Sequence, residues 1–415
     1  MSQPPRRPIP LLGEVQLGSR AARAVTAELA RHGGPKSVLL IAVTAQSPVL
    51  AAALDGLLPG DTLTLVPLAG AGDELRAHVT GLGPWVAKRV TVVDALAEAD
   101  PGDVVVLAEP LGGSAEDTRA YLDQVTKHLA PGGVLSVAAL ALPGMLDGAG
   151  EELHRQAAIA GVGTDLVLRN TPPVRVHRLR YSAAEAAVAT RLAPAYRPSS
   201  VPLTSSMHLD SNGVAAAGIA LGLAAALRIS RPASKLWLLP ALAAAPVAAF
   251  FRDPEREVPA DPTAVVAASD GAVLSVERLT DARLGDGELL RIAVFLSVLD
   301  VHVNRSPVAG RVTGYWVEDG GYAPAMKPAA EHNVAAYTIL STERGQVAVA
   351  QRTGLIARRI VHRSPVGALL ARGERFGLIR FGSRTDVYLP AAAAEPTVAP
   401  GDKVAGGSTV IARWR

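Results

Sequence analysis

The first half of the chain alternates short apolar runs with stretches in which apolar residues recur at helical spacing. Apolar runs of this length are typical of parallel strands buried on both faces, and their alternation with amphipathic helices predicts a doubly wound sheet. We therefore predict an α/β domain over residues 1–195. Its predicted strands are 37–43, 62–67, 90–93, 104–107 and 134–139.

Two apolar segments without a polar face, 214–227 and 236–251, follow a linker rich in Pro and Ser that we place at 196–212. The 14 residues of the first segment would rise only about 21 Å as a helix, short of a hydrocarbon core of about 30 Å. We predict a membrane-associated helical hairpin over 213–251 rather than two full spans. The alternative is a pair of helices buried in a soluble protein. The connection between the segments carries three cations that suit a headgroup layer, Arg228, Arg231 and Lys235.

From residue 252 to residue 415, short strand-like runs separated by turn residues predict a mainly-β domain. The tail at 398–412 resembles a hairpin of the lipoyl- or biotinyl-domain kind. We interpret it as structural because no lysine lies at a modifiable tip. The predicted strands are 265–276, 290–298, 308–315, 335–341, 346–349, 355–361, 377–381 and 387–389.

Composition and charge exclude several kinds of partner and site. Lys and Arg number 41 against 38 Asp and Glu, and this net charge of +3 is too small to argue for nucleic acid. The chain has no cysteine, which excludes disulfides, thiolate catalysis and Cys-ligated zinc, and we predict no metal site. A chain of 415 residues should form two or more domains. Residues 1–10 are followed by no apolar core, so no signal peptide is expected.

The bond between Gly382 and Ser383 is the candidate reactive centre. It lies between two strand-like runs, and a turn held between strands can store strain. A serine after a glycine can attack the preceding carbonyl because no side chain on the glycine obstructs the approach. An N-to-O acyl shift gives an ester, elimination breaks the chain, and the dehydroalanine that remains becomes a pyruvoyl group. Such a ketone is an electron sink for amine substrates.

Five ordered blocks make roughly the last two fifths of the chain resemble the short, pyruvoyl-dependent form of phosphatidylserine decarboxylase. The blocks are FFRDPER at 250–256, SDG at 269–271, FLSVLDVHVNRSP at 295–307, GLIARRI at 354–360 and RFGLIRFGSRTDVYLP at 375–390. The resemblance implies a self-cleaving proenzyme, with Gly382 ending a large chain of 382 residues and Ser383 opening a small chain of 33. Ser383 would become the pyruvoyl group, which is the implied cofactor.

The reaction implied by the resemblance converts phosphatidylserine to phosphatidylethanolamine and carbon dioxide through a Schiff base. The implied partner is phosphatidylserine in a lipid bilayer. The implied place is a bacterial cell membrane, with the catalytic domain on the cytoplasmic side. The oligomeric state stays open and includes a homo-oligomer, and the preference among serine-headed lipids stays open as well.

Three residues are the predicted catalytic residues. Ser383 is the nucleophile of cleavage and then the source of the cofactor. His302 takes the Ser383 proton or reprotonates the substrate carbon, since histidine suits either task near neutral pH. Asp270, in its Ser-Asp-Gly turn, orients or activates the cleavage machinery as an acid that holds a base. His332 and His362 are interpreted as structural.

Two positions depart from the family pattern. Where the family usually continues Glu-Asn-Glu-Arg, this chain has Glu331-His332-Asn333-Val334, so a substrate contact from that acid and arginine is in doubt. The long form of the family has a second histidine where this chain has Arg305, so the long form's charge relay does not transfer.

The segment 121–137, with LAPGGVL at 129–135, resembles the late part of a class I methyltransferase domain. Nucleotide binding in such a sheet needs glycines after the first strand and an acid after the second. Here the first turn, at 41–47, has no glycine, and the second strand ends at Pro67 without an acid. Asp94 is either an adenine contact or a cap. We interpret the domain as a degenerate methyltransferase-like fold.

Two other functions compete with the decarboxylase. One is a membrane-anchored S-adenosylmethionine-dependent methyltransferase, which the missing glycine turn and ribose acid disfavour. The other is a non-catalytic membrane scaffold in which neither half has an activity.

Overall fold

The computed structural model describes residues 16–141, 148–194, 200–204, 206–355, 359–380 and 383–415. The chain divides into two compact units, residues 1–198 with 367–369 and residues 199–366 with 370–415. The predicted multidomain organisation is confirmed, while the boundaries at 195, 212 and 251 stay predictions. Gly382, residues 1–10, and parts of the predicted linker and of the 354–360 block lie outside the described residues.

The first unit is built on a doubly wound sheet in which β1 to β5 run parallel and β7 runs antiparallel to both β5 and β6. The strand order β3-β2-β1-β4-β5-β7-β6 reverses direction between β1 and β4. The strands are β1 (Ser37–Val43), β2 (Thr62–Pro67), β3 (Val90–Val92), β4 (Gly102–Leu107), β5 (Leu129–Leu140), β6 (Gly161–Val167) and β7 (Val174–Leu179). The helices are α1 (Ser19–Val25), α2 (Ala27–Arg31), α3 (Pro48–Asp55), α4 (Gly72–Gly81), α5 (Pro84–Ala87), α6 (Ala115–Val125) and α7 (Gly148–Ala160).

Apolar side chains cover both faces of this sheet, as the continuous apolar runs predict. Successive side chains of a strand point to opposite faces, and Leu40 and Leu39 of β1 accordingly lie in two different buried clusters. The five predicted strands are confirmed, β1 and β2 with the predicted bounds. The sequence pattern did not predict β6 and β7.

The second unit begins with a helical hairpin, α8 (Ser211–Ser230) and α9 (Leu238–Phe250). Its two ends are joined by antiparallel pairing of β9 (Met207–Leu209) with β10 (Arg252–Pro254), and β8 (Val201–Pro202) pairs with β9. These short strands lie within and beside the predicted linker. Asp210 caps α8 by accepting a hydrogen bond from Asn212 N at 2.9 Å.

The first hairpin helix is longer than predicted. Its 20 residues rise about 30 Å, whereas the 13 residues of α9 rise about 20 Å. By length and composition α8 is long and apolar enough to cross a membrane, with a mean hydropathy of 1.7 over an 18-residue window. Only 11% of that window is buried, unlike the core helix of a soluble protein.

The rest of the second unit is mainly β, as predicted. An eight-stranded sheet has the order β19-β15-β16-β17-β21-β13-β12-β23, and two three-stranded sheets have the orders β11-β24-β22 and β14-β20-β18. The strands are β11 (Ala264–Val266), β12 (Gly271–Asp281), β13 (Gly285–Leu296), β14 (Val303–Arg305), β15 (Gly310–Glu318), β16 (Ala335–Thr342), β17 (Gly345–Arg352), β18 (Ile360–His362), β19 (Leu369–Leu370), β20 (Arg375–Ile379), β21 (Ser383–Pro390), β22 (Ala394–Pro396), β23 (Lys403–Val404) and β24 (Val410–Trp414).

Several predicted strands have different bounds in the structure. Of the predicted strand 355–361, of which residues 356–358 lie outside the described residues, the structure describes only β18, at Ile360–His362. The predicted strand 265–276 is two strands, β11 and β12, separated at the Ser-Asp-Gly turn. At Gly271, where φ is +148°, an added Cβ would lie 2.0 Å from the carbonyl oxygen of Phe295, so only glycine fits. The predicted strand 387–389 begins four residues earlier, at Ser383 itself.

Candidate active site

Ser383 is the first residue of β21, which lies between β17 and β13 in the eight-stranded sheet. It pairs with Leu296 of β13, and its side chain is fully buried. Its Oγ atom has no hydrogen-bond partner among the described residues. A buried polar atom without a partner is costly, and such atoms call for a functional explanation.

The Ser-Asp-Gly turn at 269–271 contacts β21 close to Ser383. The hydroxyls of Ser269 and Thr385 share a hydrogen bond of 2.6 Å. Asp270 accepts a hydrogen bond from Gly406 N at 2.8 Å and pairs with Arg256 at 2.7 Å. Burial raises the pKa of Asp270, although both of those contacts oppose the rise. The C-terminal tail, which the sequence indicated as structural, thus holds one predicted site residue in place.

His302 precedes β14 and is buried beside the end of β20. Its carbonyl oxygen accepts a hydrogen bond from Ile379 N at 3.2 Å, and Ser383 follows Ile379 by four residues. The ring atom Nδ1 lies 2.8 Å from the carbonyl oxygen of Asp300. Because a carbonyl oxygen can only accept, Nδ1 carries the proton, and Nε2 of the neutral ring keeps its lone pair.

Burial lowers the pKa of His302 to about 4, and the nearby Asp300 only partly opposes this. The ring is therefore neutral at neutral pH and able to accept a proton at Nε2. The two hydrogen bonds described for the Asp270 carboxylate go to Arg256 and Gly406. The role predicted for Asp270, that of an acid that holds a base, stays a prediction, and the imidazole of His302 is bound by the backbone carbonyl of Asp300.

The base of the helical hairpin packs directly against His302. The Phe250 and His302 rings have centroids 4.3 Å apart, and Phe250 and Phe251 form a buried cluster with Leu378 of β20. Next to it, Arg380 donates a hydrogen bond of 2.7 Å to Asn212 Oδ1 in the first turn of α8. The hairpin and the site are therefore one packed structure.

The FFRDPER block joins the base of the hairpin to the rest of the site through ion pairs. Asp253, buried, pairs with Arg305 at 3.0 Å and with Arg375 at 2.5 Å. Burial, reinforced by the neighbouring Arg375, lowers the pKa of Arg305 to about 10, so Arg305 stays charged at neutral pH. Arg305, at the position of the long form's second histidine, is therefore an ion-pair partner and not a proton acceptor.

Sequence reasoning missed a buried amide pair near β21. Gln351, which pairs with Thr385 across the β17–β21 ladder, donates a hydrogen bond of 2.7 Å to Asn304 Oδ1. Asn304 Nδ2 and Gln351 Oε1 are buried without a partner among the described residues. Asn304 stands two residues after His302, but Gln351 carries no signal in the sequence that links it to the site.

A buried ionic network lies along β21 beyond Ser383. Asp386 accepts from Arg384 Nε at 2.5 Å and from Arg352 Nε at 2.8 Å. Glu331, in the block that departs from the family pattern, pairs with Arg291 at 2.7 Å and with Arg384 at 3.5 Å. Asn333 binds the backbone of Ala323 and Thr353. This segment is thus used for internal contacts.

In the first unit, two pairs of exposed side chains bond each other at the edge where a doubly wound sheet binds nucleotides. Ala42 takes a φ of 60° at the end of β1, a conformation that favours glycine. Gln46 bonds Glu74, and Asp94 is an exposed partner of Arg76. These residues do not fit a bound S-adenosylmethionine. A cavity of about 370 Å³ in this unit lies instead at the amino ends of the strands, beside Lys36, Asp103 and Gly133.

Among the described residues, no cluster of three or more His, Asp or Glu side chains is placed to hold a metal ion. The three predicted site residues supply a buried hydroxyl, a neutral imidazole and a partly buried carboxylate. Such a set suits proton transfer and acyl chemistry.

The sequence profile of the phosphatidylserine decarboxylase family matches residues 244–412. A phosphatidylserine decarboxylase proenzyme of Symbiobacterium thermophilum is 49% identical over 166 residues, which are 40% of this chain and 77% of that protein. The chain belongs to the phosphatidylserine decarboxylase family. A proenzyme of the same name from Nitrosomonas europaea is 45% identical over 199 residues, 47% of this chain and 91% of that protein. Membership in this family makes the chain a decarboxylase, a carboxy-lyase, as the sequence predicts.

Solved structures similar to part of the chain include methyltransferases. Precorrin-6y C5,15-methyltransferase from Geobacter metallireducens has a TM-score of 0.28 and 21% identity, covering 39% of this chain and 87% of that one. Spermidine synthase from Thermotoga maritima has a TM-score of 0.28 and 17% identity, covering 42% and 67%. The doubly wound fold of the first unit is shown by its own strand order.

Proposed function

We propose that this family member decarboxylates phosphatidylserine to phosphatidylethanolamine, after cutting itself between Gly382 and Ser383. The observation that carries the proposal is the fully buried Ser383 Oγ without a hydrogen-bond partner among the described residues. An uncommitted hydroxyl at the start of a rigid central strand is free to attack the preceding carbonyl. The same orphaned atom fits a serine that is to become a prosthetic group.

The proposed cleavage needs no added reagent except water. Ser383 Oγ attacks the Gly382 carbonyl carbon and gives up its proton to a base, and the C–N bond breaks as the ester forms. Loss of the Ser383 α-proton then breaks the Cβ–O bond, which frees the Gly382 carboxylate and leaves dehydroalanine. One water enters and one ammonia leaves to give the pyruvoyl group. The products are a large chain ending at Gly382 and a small chain beginning at Ser383.

His302 is the proposed proton-transfer group. The neutral ring, with Nδ1 bound to the Asp300 carbonyl, offers Nε2 for the Ser383 proton during cleavage. In turnover the same ring would take a proton at Nε2 from the ammonium group of the substrate, and would return that proton to the substrate carbon after carbon dioxide leaves. Asp270 is proposed as a positioning residue, since its contacts fix the Ser-Asp-Gly turn against Gly406 and Arg256.

The pyruvoyl ketone supplies, once formed, an electron sink for the amine of the substrate. The chain itself contributes a site that is shielded from water and whose side chains are held in place. Ser383, Asn304 and Gln351 are fully buried, and Phe250 covers one face of the His302 ring. Exclusion of water strengthens every electrostatic interaction at the reacting carbon.

The hairpin is proposed as the membrane anchor that brings the site to its two-chain lipid. α9 rises only about 20 Å, so the pair as a whole does not fit two full spans. We place the catalytic unit on the cytoplasmic side of the membrane. Arg228, Arg231 and Lys235 lie at the connection, the end of the hairpin away from the catalytic unit, and suit a layer of lipid headgroups.

The experiment that tests the proposed function measures carbon dioxide released from carboxyl-labelled phosphatidylserine in mixed micelles. Wild-type protein should release label, and Ser383→Ala protein should release none above background. Ser341→Ala, which removes a partly exposed hydroxyl near the end of β16, should keep activity and serves as the control. Release by the Ser383→Ala protein at the wild-type rate would refute the proposal.

A further inference from the structure

We propose that the turn Ser297–Asp300 is a second membrane-contact element, which inserts Val298 and Leu299 into the same bilayer surface as the hairpin. The proposal rests on the membrane anchorage proposed above. Its partner is the interfacial layer of an anionic lipid bilayer.

The turn is rigid and presents two apolar side chains at its tip. Asp300 N donates to Ser297 O at 3.0 Å, which closes a four-residue turn. Asp300 Oδ2 in return accepts from Ser297 N at 2.8 Å and from Ser297 Oγ at 2.7 Å. Val298 and Leu299 therefore occupy the two central positions in a fixed geometry.

The residue types at the tip differ from those of an ordinary solvent-exposed turn. Central turn positions favour Gly, Pro, Asn, Asp and Ser, whereas here they hold a valine and a leucine. Leu299 is 83% exposed and Val298 is 47% exposed. Adjacent exposed apolar side chains on a rigid support are typical of a surface that is covered by a partner.

The position of the turn identifies that partner as the bilayer. Arg252, the second residue after α9, donates a hydrogen bond to the carbonyl oxygen of Leu299 and another to that of Ala249 in α9. The apolar tip is thus joined through one side chain to the base of the hairpin. Arg252 also places a cation beside the tip, where it can meet lipid phosphate.

The same turn sets the geometry of the proposed base. Asp300, which closes the turn, offers the carbonyl oxygen that fixes the tautomer of His302. Insertion of Val298 and Leu299 would therefore hold His302 next to the headgroup layer, where the serine headgroup of a lipid lies. The anchor and the site would then share one rigid connection.

The absence of cysteine from the chain allows a direct test. A Leu299→Cys variant is labelled with an environment-sensitive fluorophore and mixed with vesicles of phosphatidylcholine and phosphatidylglycerol that carry a spin label near the headgroup. Two matched variants are treated alike, Leu242→Cys on α9, where the side chain is 72% exposed, and Val317→Cys on β15, where it is 51% exposed. The fluorescence of the three labelled variants can be measured without catalytic activity.

The proposal expects a blue shift and quenching at positions 299 and 242, and neither at position 317. Quenching at 242 without quenching at 299 would overturn the proposed turn contact and leave the hairpin anchor standing. No quenching at either position would remove the anchor as well. Equal quenching at 299 and 317 would mean unspecific adsorption and would also overturn the proposal.

Discussion

Ser383 and Thr385 are both buried hydroxyl residues on β21, but only one of the two hydroxyls is already hydrogen-bonded. Thr385 shares a hydrogen bond of 2.6 Å with Ser269, whereas Ser383 Oγ has no partner among the described residues. A hydroxyl engaged in a short hydrogen bond supports the fold, and one left without a partner is ready to react. This difference in environment supports the proposal that Ser383, and not Thr385, is the reacting residue.

Replacing the proposed base should slow the enzyme strongly. His302→Ala should lower decarboxylation by about 10²- to 10⁴-fold, the loss expected when a positioned proton-transfer group is removed. Loss of cleavage would assign His302 to maturation, and normal cleavage with slow turnover would assign it to substrate protonation. His332→Ala, at an exposed position in the second unit, is the control. Normal cleavage and normal turnover of His302→Ala would remove His302 from the site.

The pH dependence of cleavage should reflect the buried ring. The pKa of His302 is lowered to about 4, so the base is unprotonated at all higher pH values. The rate of cleavage should stay constant as pH falls from 8 to about 5.5 and decline only toward pH 4. The free energy of unfolding should decrease as pH falls from about 6.5 to about 4, because His302 takes up a proton in the unfolded chain over this range but not in the folded protein. A cleavage midpoint near 6.5 would contradict the buried, neutral ring.

At the scale of elements, the Ser-Asp-Gly turn depends on a residue without a side chain. In Gly271→Ala the new Cβ would lie 2.0 Å from the Phe295 carbonyl oxygen at a φ of +148°. Strain and overpacking together should cost about 2–6 kcal/mol, visible as a lower thermal midpoint and impaired cleavage. In Gly287→Ala on β13 the Cβ meets nothing within 4 Å. Equal behaviour of the two variants would show that the turn does not need glycine.

Charges placed on the hairpin should release the protein from membranes. Ile219 and Leu242 are 74% and 72% exposed on α8 and α9, and a charged residue within a bilayer costs about 2.5–3.5 kcal/mol. Ile219→Glu with Leu242→Glu should therefore move the protein to the soluble fraction without detergent. Ile159→Glu, at a position 73% exposed on α7, should not. Wild-type protein that is wholly soluble without detergent would exclude a membrane hairpin.

The elements predicted best from the sequence are those with a simple local pattern of apolar residues. β1 and β2 have the predicted bounds because each is a continuous apolar run. The start of β21 was missed because its first four residues are polar. Their burial goes with contacts that no local pattern reports, since Asp386 pairs with Arg384 and Arg352, and Thr385 bonds Ser269. The Asp270–Gly406 contact joins residues 136 positions apart, and no local pattern reports such a pair.

At the scale of the whole molecule, the family match covers residues 244–412 and leaves the first unit outside it. That unit keeps a doubly wound sheet with its order reversed between β1 and β4. The loops at this edge instead make contacts among themselves, including Asp94 with Arg76. A structural or regulatory role for this unit, without a cofactor, stays a prediction.

The first unit should therefore not bind S-adenosylmethionine usefully. Titration calorimetry on the purified full-length protein should show no binding at micromolar concentrations of this ligand, because the turn at 41–47 has no glycine to admit it. Micromolar binding would revive the membrane-anchored methyltransferase as a second activity.

The central claim is that Ser383 becomes the cofactor by breaking the chain before it, and intact-mass measurement of the purified protein tests this most directly. The wild-type protein should give two chains, residues 1–382 and residues 383–415. The small chain should be lighter than its sequence by one ammonia, as a pyruvoyl N-terminus requires. The Ser383→Ala protein should give a single chain of 415 residues. A single wild-type chain, a small chain with an unmodified serine, or cleavage of the Ser383→Ala protein at the same bond would contradict it.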